Sequence, residues 1–430
     1  MAEKYKLGLS RSRLFEFDNC VFFAGTVKNG ILQPEAERAL RMLSIKEPLI
    51  TSAVVTDETG EAYVVTGACE PVISFTDEKS DAVFNAEKQK GIDFTERLFE
   101  FFVSGGNTLI ICAHTVIADV KTLFVLAGEF LAFYEHRSVN VEPSAVCIFS
   151  EKADMPSNLF SPITDSVTLN LESGRQKKST VFTADDYKKA HSAFAAAHRK
   201  EGVSYFSLGE DESAALKTAC REAGIDVATA VGCAFHRATV SMMHARKKYA
   251  RALFGTDLRL YIDSDKFGLA GPYTAGISVS LPKAAAAKKS GYTKAYHDEV
   301  YKKYMSAIQA FYDDTFLMQL SPSFCDSAYM YAAHKYSSRS TKKLALNYTC
   351  LSPRVMSFYA YNADQRFWSS LDGFGSADAF EPFKVRDDFS VTLLTFKNRM
   401  SIRVAYNAEK CDEAKAAALF ENVRAMLAKP

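Results

Sequence analysis

The stretch from Gly105 to Tyr134 constrains the fold more than any other part of the chain. A turn signal, Gly105-Gly106-Asn107, precedes an apolar run from Thr108 to Ala113. That run is short and bounded by the turn, so it reads as a buried strand. A longer apolar stretch, Val120 to Tyr134, reads as a helix, and His114-Thr115-Val116-Ile117-Ala118-Asp119 lies between the two. A buried strand feeding a helix points to a fold that mixes sheet and helix. His114, Asp119 and, further on, Glu129 interrupt the apolar residues, so no stretch of about 18 is continuous enough to span a membrane.

The chain has 430 residues, a length that suggests two to three domain-sized units. With 48% hydrophobic and 24% charged residues it excludes disordered, collagen-like and coiled-coil architectures. The 52 basic and 51 acidic residues leave a net charge of +1, so no global field favours nucleic acid or an anionic membrane. Met1 to Lys6 is charged and leads into no apolar segment, which gives no secretory signal and makes a cytoplasmic location the default expectation. Nine cysteines, an odd number with no C-x-x-C pair, read as reduced thiols and imply no metal site.

Along the chain, Asn19 to Lys28 reads as a strand, and Pro34 opens a helix that ends before Pro48. Leu49 to Thr56 and Ala62 to Thr66 read as strands, and Asp93 to Phe102 as an amphipathic helix. The stretch Asn140 to Thr180, with Pro143, Pro156 and Pro162, is expected to cross to a second half, which sets the boundary near residue 180. In that half the pattern predicts helices over Ala184–His198, Glu210–Ala223 (closed by Gly224), Val227–Leu253, Lys288–Phe316 and Glu413–Leu427. Leu258–Asp263 and Thr274–Ser280 are expected strands, and Phe389–Phe396 with Ser401–Tyr406 a hairpin around Lys397-Asn398-Arg399.

Four segments in this order carry a resemblance. They are Gly30-Ile31-Leu32-Gln33-Pro34 through Lys46-Glu47-Pro48-Leu49, Cys220-Arg221-Glu222-Ala223-Gly224-Ile225-Asp226, Asp257-Leu258-Arg259, and Leu393 to Ser401. Together they resemble the condensation-domain and alcohol acyltransferase superfamily over nearly the whole chain. The second is similar to the family's C-R-x-x-G-x-T entry into a long helix, with Asp226 in place of Thr. The resemblance implies an α/β (α+β) fold of two chloramphenicol-acetyltransferase-like halves, residues 1–180 and 181–430. Each half is then a mixed sheet with flanking helices, in a V-shaped molecule with a central tunnel.

Family members carry H-H-x-x-x-D-G between strand and helix, the second His acting as general base and the Asp as a structural residue. Aligned on Asp119, the first His falls on His114, the second on Thr115, and Val120 replaces Gly. Alternatively His114 is the base and the loop to Asp119 is one residue longer. The choice matters because an acceptor hydroxyl or amine attacking a thioester must lose a proton, which an imidazole takes readily and a threonine does not. The resemblance further implies an ion pair from Asp119 to Arg259, while Asp119 at a helix start also reads as an N-cap.

Lys335, Arg339, Lys342 and Lys343 form a basic run that either meets the phosphates of coenzyme A or phosphopantetheine, or is a solvated loop. Ser352 or Thr349 is an oxyanion candidate. His191 with His198, and His236 with His244, read as solvated helix positions, and Trp368 as a packing residue. No metal motif, P-loop, dinucleotide fingerprint or nucleophile elbow is present. Two functions are therefore expected. One is acyl transfer from an acyl-CoA or acyl-carrier-protein thioester, a co-substrate instead of a tightly bound cofactor, to a hydroxyl or amine with His114 as base. The other is a catalytically degenerate relative that binds an acyl or hydrophobic ligand, or a protein partner.

Overall fold

The computed structural model describes residues 3–7, 20–58, 61–137, 140–148, 201–224, 226–243, 251–257, 259, 268–280, 354–364, 371–380 and 387–428. In chain order the first half contributes β1 (Lys4–Lys6), β2 (Cys20–Val27), α1 (Gln33–Lys46), β3 (Ala53–Thr56), β4 (Ala62–Val65), β5 (Ile73–Thr76), α2 (Ser80–Lys90), β6 (Phe99–Ser104), β7 (Thr108–His114) and α3 (Val120–Tyr134). From residue 201 onward follow β8 (Glu201–Leu208), α4 (Glu210–Ala223), α5 (Val227–Met242), β9 (Arg251–Asp257), β10 (Thr274–Ser280) and β11 (Arg354–Asn362). The described elements close with β12 (Phe374–Phe380), β13 (Asp387–Phe396), β14 (Arg399–Asn407) and α6 (Glu413–Leu427).

Two mixed sheets organise these elements. The first has the order β12-β2-β7-β6-β5, antiparallel except for the parallel β5–β6 pair. The second has the order β10-β9-β11-β13-β14-β8, with β9, β11 and β13 parallel to one another. A small antiparallel sheet, β1-β4-β3, accompanies the first. The fold class is thus mixed α/β, built on two mixed sheets with their helices.

The two faces of the first sheet bury different sets of side chains. In β7, Leu109, Ile111 and Ala113 join the core beneath α1 and α3, whereas Ile110 and Cys112 face Val83 and Phe84 of α2. This is the period-2 alternation of a strand covered on both sides. Both cores cross between the halves. Tyr359, Tyr361 and Leu394 pack into the first, and Ala405 of β14 into the second. The division at residue 180, itself outside the described residues, is crossed by β12, which comes from the second half and pairs with β2 of the first.

Several expectations require correction. The helix expected over Asp93–Phe102 is a turn followed by strand β6. Asp93 accepts from the Thr95 backbone N–H at 3.0 Å, fixing the turn. Phe99, Phe101 and Val103 then alternate into the core while Glu100 faces away. The helix expected to reach Leu253 stops at Met242, and residues 251–257 form β9 because β10 and β11 supply backbone partners on both sides. The strand expected over Leu258–Asp263 lies outside the described residues apart from Arg259. The segment Leu49–Thr56 begins with a 3₁₀ turn, Pro48–Thr51, before β3. The expected helices over Ala184–His198 and Lys288–Phe316 lie outside the described residues. By contrast α3, α4, β10 and α6 occupy the expected spans. The β13–β14 turn places Lys397 and Asn398 at φ 48° and 63°, the left-handed pair of a tight hairpin.

Candidate functional site

His114 is the last residue of β7. Its N–H donates to Leu98 O at 2.9 Å, and its ring stands edge-on to Phe94 with centroids 5.7 Å apart. The side chain is fully buried. Nδ1 accepts from the Val116 backbone N–H at 3.0 Å, closing the turn that leaves the strand. A ring nitrogen that accepts an amide hydrogen bears no proton, so the neutral imidazole carries its hydrogen on Nε2. The Nδ1 lone pair is thus engaged by the turn that follows β7. Thr115, the next residue, is also buried.

Asp119 caps α3, accepting from the Thr122 backbone N–H at 2.8 Å. Arg259 reaches it from beyond β9 in a bidentate pair, with Nη1 to Oδ2 and Nη2 to Oδ1 both at 2.8 Å. The remaining guanidinium hydrogens go to Leu269 O from Nε at 2.9 Å, to Asp257 from Nη1 at 3.2 Å and to Thr122 Oγ1 from Nη2 at 2.9 Å. The group lies 4.3 Å over the Tyr273 ring. Thr274 Oγ1 adds a hydrogen bond to Asp119 Oδ2 at 3.0 Å. The Thr122 hydroxyl donates to Gly271 O at 2.7 Å and accepts from Gly271 N at 3.0 Å.

Both ionic side chains are only 2% exposed. Burial alone would push the Asp119 carboxyl up, but the Arg259 charge and the hydrogen bonds from Arg259, Thr122 and Thr274 outweigh it and hold the group at about 2. A buried pair of this kind adds little net stability over an apolar substitute. What it does here is fix geometry, because it ties the start of α3 to Arg259, Gly271 and Thr274.

Beside this tie lies a cleft of about 340 Å³. Lys121 of α3 lines it from one side, and Asp226, Thr229, Phe254, Gly255, Asp257, Thr274, Phe358, Tyr359 and Tyr361 from the other. Lys121 Nζ pairs with Asp257 at 2.8 Å across it. The wall is therefore aromatic with a few polar groups. Among the described residues that line it, neither His114 nor Thr115 appears.

The oxyanion candidates Ser352 and Thr349, the basic run Lys335, Arg339, Lys342 and Lys343, and His191, His198, His244 and Trp368 all lie outside the described residues. His236, expected on a solvated face, is instead fully buried, its ring 6.4 Å from that of Phe254. Sequence reasoning missed Thr122, Thr274 and Lys121, and gave Asp257 a place in a motif but no partner. A Thr three residues after an Asp at a helix start is a readable capping pattern, whereas Thr274 and Asp257 arrive only through sheet topology. The seven described cysteines are free thiols, and no cluster of metal-binding side chains occurs among the described residues. No described helix is long and apolar enough to cross a membrane.

No protein-family model and no curated protein matches this sequence. Solved structures do. The trichothecene 15-O-acetyltransferase TRI3 from Fusarium sporotrichioides superimposes with a TM-score of 0.64 at 12% identity, covering 99% of this chain and 96% of that one. The first condensation domain of the CDA synthetase gives 0.62 at 13% identity, with 99% and 96% covered. The epimerization domain from the third module of tyrocidine synthetase B gives 0.60 at 12% identity, with 100% and 97% covered. The likeness covers 99–100% of this chain, so the chain shares the fold of these acetyltransferase, condensation-domain and epimerization-domain structures.

Proposed function

We propose that this chain binds an acyl-bearing ligand in the cleft between its halves, and that His114 holds the strand-to-helix turn in place instead of removing a proton from an acceptor. The observation that carries this reading is the His114 ring, buried with Nδ1 bonded to Val116 N–H and outside the cleft lining. Phe254, Phe358, Tyr359 and Tyr361 suit an apolar chain, and Lys121, Asp226 and Thr229 a polar head. The ligand class is an acyl thioester, carried by coenzyme A or by the phosphopantetheine of a carrier protein. The similar acetyltransferase and condensation-domain structures support an acyl group as the common element.

A second reading, transfer of the acyl group to a hydroxyl or amine, is favoured by the Asp119–Arg259 tie, which keeps the loop beside the cleft ordered. Such transfer would run on positioning alone. General-base assistance contributes roughly 10²- to 10⁴-fold, so its rate would be lower by that factor.

The test is thermal stability of the full chain against a panel of acyl-CoA species and acylated carrier protein, with thiol release measured in the presence of pooled alcohols and amines. A saturable rise in melting temperature for one class of acyl chain, with no His114-dependent thiol release, is expected. Absence of any shift across the panel overturns acyl binding. Thiol release that disappears in a folded His114→Ala variant overturns the structural role of His114, whereas release that survives the substitution establishes the second reading.

A further inference from the structure

Helix α2 lies between the two sheets and is held by charge on both sides. Its apolar residues Val83 and Phe84 pack with Phe22, Ile110 and Cys112 of the first sheet and with Ala405 of the second. Toward the second half, Asp81 accepts from Arg403 of β14 at 2.7 Å, and Lys88 forms an ion pair with Glu201 of β8. Arg403 is shared with Asp378 of β12. Toward the first sheet, Lys90 reaches Glu87 at 3.1 Å and Glu100 of β6 at 2.9 Å.

That last group is unbalanced, because the buried Glu87 carboxyl and the largely buried Glu100 carboxyl share one ammonium. Oε2 of Glu100 is buried and meets no donor. A protonated Glu87 carboxyl, bound to the same ammonium as Glu100, supplies that donor. The charged and titratable groups around them are Lys90 on α2, Arg97 ahead of β6, Cys112 on β7 with Cys20 behind it on β2, and the Lys88–Glu201 pair toward β8. Burial first, then the hydrogen bond and charge of Glu100, push Glu87 up to about 7. Burial acts upward on Glu100 as well, but the Glu87 and Lys90 hydrogen bonds hold it below its ordinary value. Two carboxyls that share one ammonium titrate as a unit.

We propose that α2 is a proton-controlled wedge between the halves: docked while Glu87 and Glu100 share a proton, and released from the first sheet when that proton leaves. Loss of the proton leaves two buried carboxylates against one ammonium and removes the donor to Glu100 Oε2. The sign follows from the raised value at Glu87. A group titrating higher in the folded state than its ordinary 4.5 stabilises docking fully below that value and loses the contribution as pH rises through about 7.

Hydrogen exchange of the full chain, measured on peptides from α2 and, in the same samples, from α3, tests this at pH 6 and pH 8.5. After correction for intrinsic exchange rates, α2 protection in the wild type is expected to fall roughly tenfold or more between the two, while α3 stays constant. Glu87→Gln keeps a donor to Glu100 at every pH and is expected to hold α2 protected at both. Glu100→Gln, which removes the same repulsion from the other side, is expected to behave likewise and serves if Glu87→Gln does not fold. Wild-type α2 protection that is flat with pH, or an equal fall in either variant, overturns the proposal.

Discussion

Replacing Asp119 by Asn separates the charge of the tie from its shape. Asparagine caps a helix nearly as well as aspartate, so the hydrogen bond from Thr122 N–H to the side chain is retained. What is lost is the negative charge opposite Arg259, at a site where both side chains are 2% exposed. Removing one partner of such a pair costs about 3–5 kcal/mol, because the other charge stays buried. Asp257, 3.2 Å from Nη1, remains to compensate part of it, which places the expected loss at the lower end. Arg259→Met, which leaves the Asp119 carboxylate buried and short of its strongest donors, is expected to cost a similar amount. The double variant is expected to lose less than the two single losses added together, since no charge then remains unpaired.

The pH dependence provides an independent check. Asp119 sits at about 2 against an ordinary 3.8, so its contribution is complete above pH 4 and is lost as pH falls toward 2, corresponding to about 2–3 kcal/mol. Asp119→Asn removes that limb, and the difference between wild type and variant should narrow over the same range. Urea unfolding of all four proteins between pH 3 and 7 measures both quantities. Additive losses in the double variant, or a wild type–variant difference that does not narrow in acid, would refute the reasoning.

Three further outcomes follow from the geometry. His114→Ala should lower stability by about 1–3 kcal/mol by stranding the buried Val116 N–H and opening space beside Phe94, while ligand-induced thermal shifts stay unchanged. Glu47 is buried, and burial, more than the opposing Ser144 hydrogen bond, raises its carboxyl to about 7. Its contribution is therefore present below the ordinary 4.5 and lost as pH rises through 7, and Glu47→Gln should gain on the order of 2 kcal/mol over wild type at pH 8.5 in chemical denaturation. At Gly232 in α5, an added Cβ would lie 2.5 Å from Phe254 and 2.7 Å from Phe358, so Gly232→Ala should destabilise by about 1–3 kcal/mol in the same assay.

What the sequence revealed divides along a physical line. The spans of α3, α4 and α6 were legible because each begins at an Asp or Gly cap and runs on local periodicity. Strand β9 was not, because Ala252 and Phe254 continue the apolar spacing of α5, and only β10 and β11, remote in sequence, make them a strand. Glu100 hid β6 in the same way: a charge in an aromatic run reads as the polar side of a helix until α2 supplies Lys90 to meet it. Strand β12 carries no signal of its destination, since its pairing with β2 joins residues some 350 apart in the chain. At the site, the residues with chemistry were visible as types and the pairing of Asp119 with Arg259 was implied by resemblance. The hydrogen bond on which the proposed role of His114 rests, from Val116 N–H to Nδ1, depends on the turn after β7 and leaves no trace in residue spacing.

The state of the His114 ring separates a structural from a catalytic role. Long-range ¹H–¹⁵N correlation on the histidine-labelled full chain, assigned with His114→Gln and recorded where the ring is neutral, reads which nitrogen carries the hydrogen. The account predicts Nε2–H, with Nδ1 shifted as an acceptor from Val116 N–H. An Nδ1–H ring, which leaves Nε2 with the lone pair a general base uses, would contradict it.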